Sequence, residues 1–236
     1  MSTQDGDAAG RSARDAMLGR IRAGLAGHAD DGVRKAAVAA RLAAREAHLV
    51  PERVAKPADG LRALLRGFLE GQSATVIEAA TPDAVPSAVA NFLRSANLPQ
   101  RVRTGADPFL ANLDWSREPT LERQSGRAEP GDEASLSRAV AAVAETGTLV
   151  LTSGSDNPVT LNFLPETHIV VLAAKDIVGP YEAAFDRVRA AWGQGVMPRT
   201  VNLVSGPSRT ADVGGKLVTG AHGPRRLCVI IVDRAD

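Results

Sequence analysis

The chain has 236 residues, 44% of them hydrophobic, enough to bury the core of one large or two small domains and too apolar for a disordered chain. Its 28 basic and 27 acidic residues nearly cancel, so no whole-molecule field draws it to nucleic acid or to an anionic membrane. Five Phe, two Trp and one Tyr are too few for a base-stacking platform, and no run approaches the roughly 20 apolar residues of a membrane helix.

Residues 1–10 are small and polar and read as a disordered leader without the apolar segment of a signal peptide, which sets the expectation of a cytoplasmic protein. Met17, Leu18, Ile21 and Leu25 recur at helical spacing, with a break at Gly27. A second helix starts at Asp30 or Asp31 and carries Val33, Ala37, Ala40 and Ala44 on one face and Arg34, Lys35 and Arg41 on others. Pro51 and Pro57 bracket the connection that follows, and a boundary there divides an N-terminal helical arm, 1–50, from an α/β domain, 51–236.

Beyond the boundary, helix and strand patterns alternate. They give a helix over 61–70, a strand over 74–78, a helix over 82–96 with Thr81 as its cap and Pro82 in its first turn, and a strand near 101–103. Such alternation predicts a mostly parallel sheet flanked by helices. Between Gly105 and Gly131 the period dissolves around three prolines and reads as a long irregular connection, with Trp115 plugging a satellite cluster. A helix over 133–144, a strand over 148–151, a strand over 168–173 and a helix over 181–191 follow, and Leu227–Val232 closes the sheet. Cys228, in that last strand, is the lone cysteine. It excludes an intrachain disulfide and any all-cysteine metal or iron–sulfur centre, and reads as a buried, inert thiol.

Two nucleotide fingerprints fail. Gly193-Gln194-Gly195 begins like GxGxxG but has Pro198 at the third glycine and a helix in front, and Gly214-Gly215-Lys216 lacks the first glycine and the final Ser or Thr of a phosphate loop. Four histidines with no HExxH or clustered pair leave a metal site without support.

Three constellations remain. Glu145 precedes the strand over 148–151 and is either a surface residue ending a helix or a ligand or catalytic carboxylate; Ser153 and Gly154 follow that strand, where parallel sheets place ligands. His168 opens its strand and reads first as a structural hydrogen-bonder. The richest stretch is 200–224. There Ser205, Gly206, Ser208, Arg209 and Thr210, followed by Asp212, are the expected ligand-binding residues, in a turn able to present N–H groups and a guanidinium fork to an anion, unless Arg209 simply pairs with Asp212. His222, between glycines in GAHGP, is placed to move a proton, and Ser205 and Ser208, outside any GxSxG elbow, are hydroxyl donors.

AETGTLVLTSG, LPETHIVVL, SGPSRTAD and GAHGP, in this order, resemble the LUD-domain family, and within it the LutC-like lactate-utilisation proteins. The resemblance covers residues from Glu133 onward strongly and the earlier part in general layout. It implies a fold akin to the NagB, RpiA and CoA-transferase superfamily. It also implies membership of a three-component system oxidising L-lactate to pyruvate, whose two partner subunits are iron–sulfur proteins and whose cluster-free subunit is this chain. Lactate oxidation needs a carboxylate anchor, a base for the hydroxyl proton and an electron or hydride acceptor. Arg209 and His222 suit the first two, and the sequence names no cofactor for the third. The superfamily likeness leaves open an independent enzyme acting on phosphorylated sugars, CoA esters or folates, with Glu145 as nucleophile or base, and a non-catalytic scaffold.

Overall fold

The apolar run LCVIIV, 227–232, is buried on both faces, and the fold is built around it. The computed structural model describes residues 5–26, 31–44, 49–193, 195–213 and 216–233, and their side chains except at 5–12, 26, 31, 211–213, 216 and 217. The chain divides into two units, Met1–His48 and Leu49–Asp236. The first unit contains α1 (Asp5–Ala26) and α2 (Asp31–Ala44). Asp5–Gly10, expected as part of a disordered leader, is helical instead, in a stretch where Ala8 and Ala9 favour a helix by propensity. Gly27 and Asp30 lie outside the described residues.

In the second unit, α3 (Ala58–Gly71) leads to β1 (Thr75–Ala79), and α4 (Val85–Ser95) to β2 (Arg101–Thr104). Pro82 opens a separate 3-10 turn ahead of α4, and the Thr81 side chain makes no capping bond. The expected irregular stretch 105–131 contains α5 (Pro108–Ala111) and β3 (Glu122–Ser125), which pairs in parallel with β2 at the sheet edge. Trp115 is buried there and donates its indole N–H to the Leu110 carbonyl at 2.8 Å.

The expected helix over 133–144 is two strands, β4 (Ala134–Arg138) and β5 (Ala141–Val143). Leu136, Val140 and Ala144 imitate helical spacing, but the competing period-two signal, Ala134-Ser135-Leu136-Ser137, wins because both faces of β4 are covered. After β6 (Thr148–Thr152) comes a short helix with no counterpart in the sequence reading, α6 (Val159–Phe163). Then follow β7 (Thr167–Ala173), β8 (Ile177–Val178), α7 (Tyr181–Trp192), β9 (Val201–Val204), the hairpin β10 (Arg209–Val213) and β11 (Lys216–Thr219), and β12 (Arg226–Val232).

The main sheet is parallel throughout, in the order β1-β12-β7-β4-β2-β3, so β12 is an interior strand and not a closing edge. One face carries Leu136, Ile169, Val171, Ile230 and Val232 and packs on α4 (Val85, Val89, Leu93), Leu110 and Trp115. The other carries Val170, Leu172, Val229 and Ile231 and packs on Leu65 and Leu69 of α3 and on a second sheet, β8-β5-β6-β9. That smaller sheet is mixed, with β6 antiparallel to both neighbours, and α7 covers its far side through Ala184 and Val188. Cys228 is fully buried, which pushes its thiol up to about 12. The layers lock tightly where Gly105 meets the 153–157 turn: Ala106 N–H donates to the Ser155 carbonyl, and a Cβ on residue 105 would lie 1.9 Å from the Asp156 carbonyl oxygen. Gly105→Ala should therefore lower stability by about 3 kcal/mol in urea unfolding, as overpacking against backbone does; an unchanged midpoint would contradict this contact.

Candidate functional site

Where β9 leaves the smaller sheet, the chain makes two bends that hold each other. Ser205 follows Val204, and its Oγ lies 2.7 Å from Thr148 Oγ1, which with Thr146 and Tyr181 forms a hydroxyl cluster of 2.7–3.0 Å contacts. Gly206 has φ +133°, and a Cβ there would fall 2.8 Å from Cβ of Gln72, so both conformation and space demand glycine. Ser208 N–H then donates to the Pro224 carbonyl at 2.8 Å, Gly220 N–H to the Ser208 carbonyl at 2.9 Å, and His222 N–H to Ser208 Oγ at 3.4 Å.

Beneath these bends lies a cavity of about 200 Å³, walled by Ser205, Gly206, Ser208, exposed His222, Phe163 and Leu227, with Asn162 and His168 also lining it. It sits against the main sheet at the amino ends of β7 and β12, since Leu227 and His168 are register partners there. That volume is below the roughly 300 Å³ at which drug-sized ligand sites begin. It suits a metabolite of a few heavy atoms and is too small to enclose a dinucleotide or a whole coenzyme A.

His168, 1% exposed, is buried in the wall. Burial alone takes its imidazole from 6.5 down to about 3, so the ring is neutral. Its Nε2 lies 3.1 Å from Ser137 Oγ, which in turn lies 3.5 Å from Asn162 Oδ1. His168 Nδ1 and Asn162 Nδ2 have no hydrogen-bond partner among the described residues. Asn162 and Ser137 escaped the sequence reading; serines alternating through a strand buried on both faces were the available signal.

The other candidates lie elsewhere. Arg209 does not line the cavity: one guanidinium nitrogen donates to the Gln72 carbonyl at 2.7 Å and to Ser73 Oγ at 2.6 Å, closing the carboxyl end of α3, where a cation suits the helix dipole. Thr210 pairs with Val218 across the hairpin, and the Asp212 side chain lies outside the described residues, as do Gly214 and Gly215. Glu145, half-buried in the β5–β6 turn, accepts from Arg53 at 3.1 Å and does not line the cavity. Ser153 exchanges bonds with Thr200, its N–H donating to that carbonyl and its Oγ accepting from that N–H, while Gly154 N–H donates to the Asn157 carbonyl. These two residues stand at the opposite end of the β6–β9 pair from Ser205, about 16 Å away at a strand's rise per residue. Among the described residues no group of three or more His, Cys, Asp or Glu side chains is arranged for a metal, and no helix is long and apolar enough to cross a membrane.

The model of the LUD domain family matches residues 106–232, and the chain belongs to that family. It is 35% identical over 91 residues to "Lactate utilization protein C" of Shouchella clausii, a match covering 39% of this chain and 40% of that protein. To the protein of the same name in Geobacillus thermodenitrificans it is 30% identical over 132 residues, 52% of this chain and 55% of that one. The chain thus spans about half or less of the length of these relatives. A crystal structure of a DUF162 family protein from Deinococcus radiodurans superimposes with a TM-score of 0.58 at 24% identity, covering 75% of this chain and 99% of that one, and shares the fold.

Two outcomes follow from the geometry. Because unfolded His168 takes a proton near pH 6.5 and the native ring refuses it down to about pH 3, native stability falls by up to about 1.4 kcal/mol per pH unit as pH drops below 6.5. His168→Gln should flatten the stability profile between pH 6.5 and 5 in urea titrations; an unaltered slope would place the imidazole in water. Arg209→Ala should cost about 1 kcal/mol of stability, the size of a lost helix-end hydrogen bond, read from the same unfolding curves.

Proposed function

We propose that the chain serves lactate utilisation as the subunit without iron–sulfur clusters in a cytoplasmic system oxidising L-lactate to pyruvate. We further propose that the cavity under the 205–208 and 220–224 bends holds the small anionic metabolite. The observation that carries this reading is the cavity itself: small, walled by the motifs SGPS and HGP, with one exposed imidazole at its edge and buried uncharged hydrogen-bonding groups deeper in. The names of the relatives support the process, and the single cysteine supports the division of labour, since clusters held by four thiolates must sit on other subunits.

In this reading His222 takes the position assigned to a base or carboxylate partner, and the Ser205 and Ser208 hydroxyls orient the bound acid. Ser205 is held in turn by Thr148, whose hydroxyl also meets that of Tyr181. Arg209 supports the site from outside by fixing the Ser205–Ser208 bend against α3, and Ser153 and Gly154 anchor the far end of the same sheet. Electrons leave through the partner iron–sulfur subunits. An independent enzyme using Glu145 is less well supported, because that carboxylate is engaged by Arg53 and stands outside the cavity.

The test combines copurification from lactate-grown cells with lactate-dependent acceptor reduction by the assembled components. The expected result is recovery of two iron–sulfur proteins with the tagged chain and at least a tenfold loss of turnover in His222→Gln at unchanged assembly. Turnover of a CoA thioester or sugar phosphate by the lone chain, or full lactate turnover without it, would overturn the proposal.

A further inference from the structure

The face of the main sheet that meets the smaller sheet is apolar along β7 and β12 except at one end. Val170, Leu172, Val229 and Ile231 continue it, but at its amino side the same face carries Ser135, Ser137 and His168, with Asn162 of α6 set against them. All four are buried to within 1%. Ser135 has a structural explanation, since its Oγ donates to the Leu161 carbonyl at 2.5 Å and ties α6 to β4. The other three lack one. Ser137 Oγ bridges the histidine and the asparagine, leaving one nitrogen of each without a partner among the described residues. Buried polar groups in folded proteins are almost always paired, because leaving one unpaired forfeits its hydration for nothing. Of the buried side chains with an unpartnered polar atom, His168 and Asn162 are the two that line this cavity.

The set has a definite chemical character. It contains no charge to balance a carboxylate, and the imidazole is held neutral by burial. Ser137 can donate to Asn162 Oδ1 while accepting from His168 Nε2–H, which leaves His168 Nδ1 as an acceptor. Alternatively it donates to Nε2, and Nδ1 then carries the proton as a donor. The first state accepts a hydroxyl proton; the second donates to a carbonyl. In both, Asn162 Nδ2 supplies another donor, and its amide rotates about a soft terminal torsion to reach a guest.

The geometry points to His168 and Asn162, held in position by Ser137 behind them, as the specificity-determining floor of the cavity, taking the uncharged oxygen of a short monocarboxylate while the carboxylate stays at the His222 rim. This rests on the reading of the cavity as a small-anion site. The floor distinguishes a 2-hydroxy or 2-oxo acid from the same acid without that oxygen, and it rejects a second carboxylate, whose charge would be stripped of water against neutral groups. Exchange between the two neutral tautomers of the ring, in which Nε2 releases its proton, Nδ1 takes one up from the solvent-filled cavity and the Ser137 hydroxyl turns from Asn162 to Nε2, fits the floor to either member of a hydroxy/oxo pair.

Calorimetric titration of the full chain with L-lactate, pyruvate, propionate and succinate tests the assignment. The wild type should bind lactate and pyruvate at least tenfold more tightly than propionate and succinate. Asn162→Leu, of similar size, should bring lactate to within about twofold of propionate, and His222→Gln should weaken all monocarboxylates by a similar factor. Ser137→Ala, a smaller change whose folding is checked by thermal melting, should change the lactate-to-pyruvate ratio. Equal binding of lactate and propionate by the wild type, or discrimination retained in Asn162→Leu, would overturn the floor assignment while leaving a small-anion site in place. No binding of any of the four acids would overturn the site reading itself. If Asn162→Leu fails to fold, the wild-type series and Ser137→Ala decide.

Discussion

The cavity exists because the backbone of Ser208, whose N–H donates to the Pro224 carbonyl and whose carbonyl accepts from Gly220 N–H, closes two bends into a single wall. Each bend is anchored separately. Ser205 is held to Thr148 of the smaller sheet, Gly206 lies against the end of α3, and Pro224 runs directly into the buried strand β12. The wall is therefore suspended between the two sheets, and its spacing follows from how they pack through Val170, Leu172, Leu149 and Leu151. Core packing transmits position well because interiors are dense and deform little. A change far from the cavity that shifts one sheet against the other changes its width.

Position in the fold also explains the division of charge. At the mouth, His222 is exposed, and an anion placed there would meet water and an imidazole. Deeper in, the surroundings are the apolar face of the buried strands β7 and β12, where a charge is costly and a neutral hydrogen bond is strengthened by the low local polarity. Arg209, next to the Ser205–Ser208 bend, binds the α3 terminus instead, which holds that bend in place without bringing a permanent charge to the cavity.

Much of this was legible in the sequence. Alternating helix and strand patterns gave the parallel sheet, the ordered motifs from AETG to GAHGP gave the family, and glycines flanking His222 marked an exposed bend. Side-chain direction was not legible: Arg209 sits in the expected stretch, but a hairpin begins at that residue and turns it toward Gln72. The strand β4 was hidden because Leu136 with Val140 and Ala144 fits a helical period equally well, and only coverage on both faces decides between the two. With β4 misread, Ser137 had no place beside His168, and five-residue α6, too short to show a period, concealed Asn162. His168 was read as a structural hydrogen-bonder, and it is one; that it also lines the cavity depends on a register that no local pattern carries.

The central claim is that a small carboxylate enters between the two bends and touches both the rim and the floor. The chain contains only four histidines, His28, His48, His168 and His222, so imidazole nitrogen NMR gives the most direct view. On addition of L-lactate, the account predicts shifts at His222 and His168 with one common dissociation constant, while His28 and His48 stay unmoved. Perturbation confined to the N-terminal histidines, or lactate binding that leaves His168 and His222 unchanged, would contradict it.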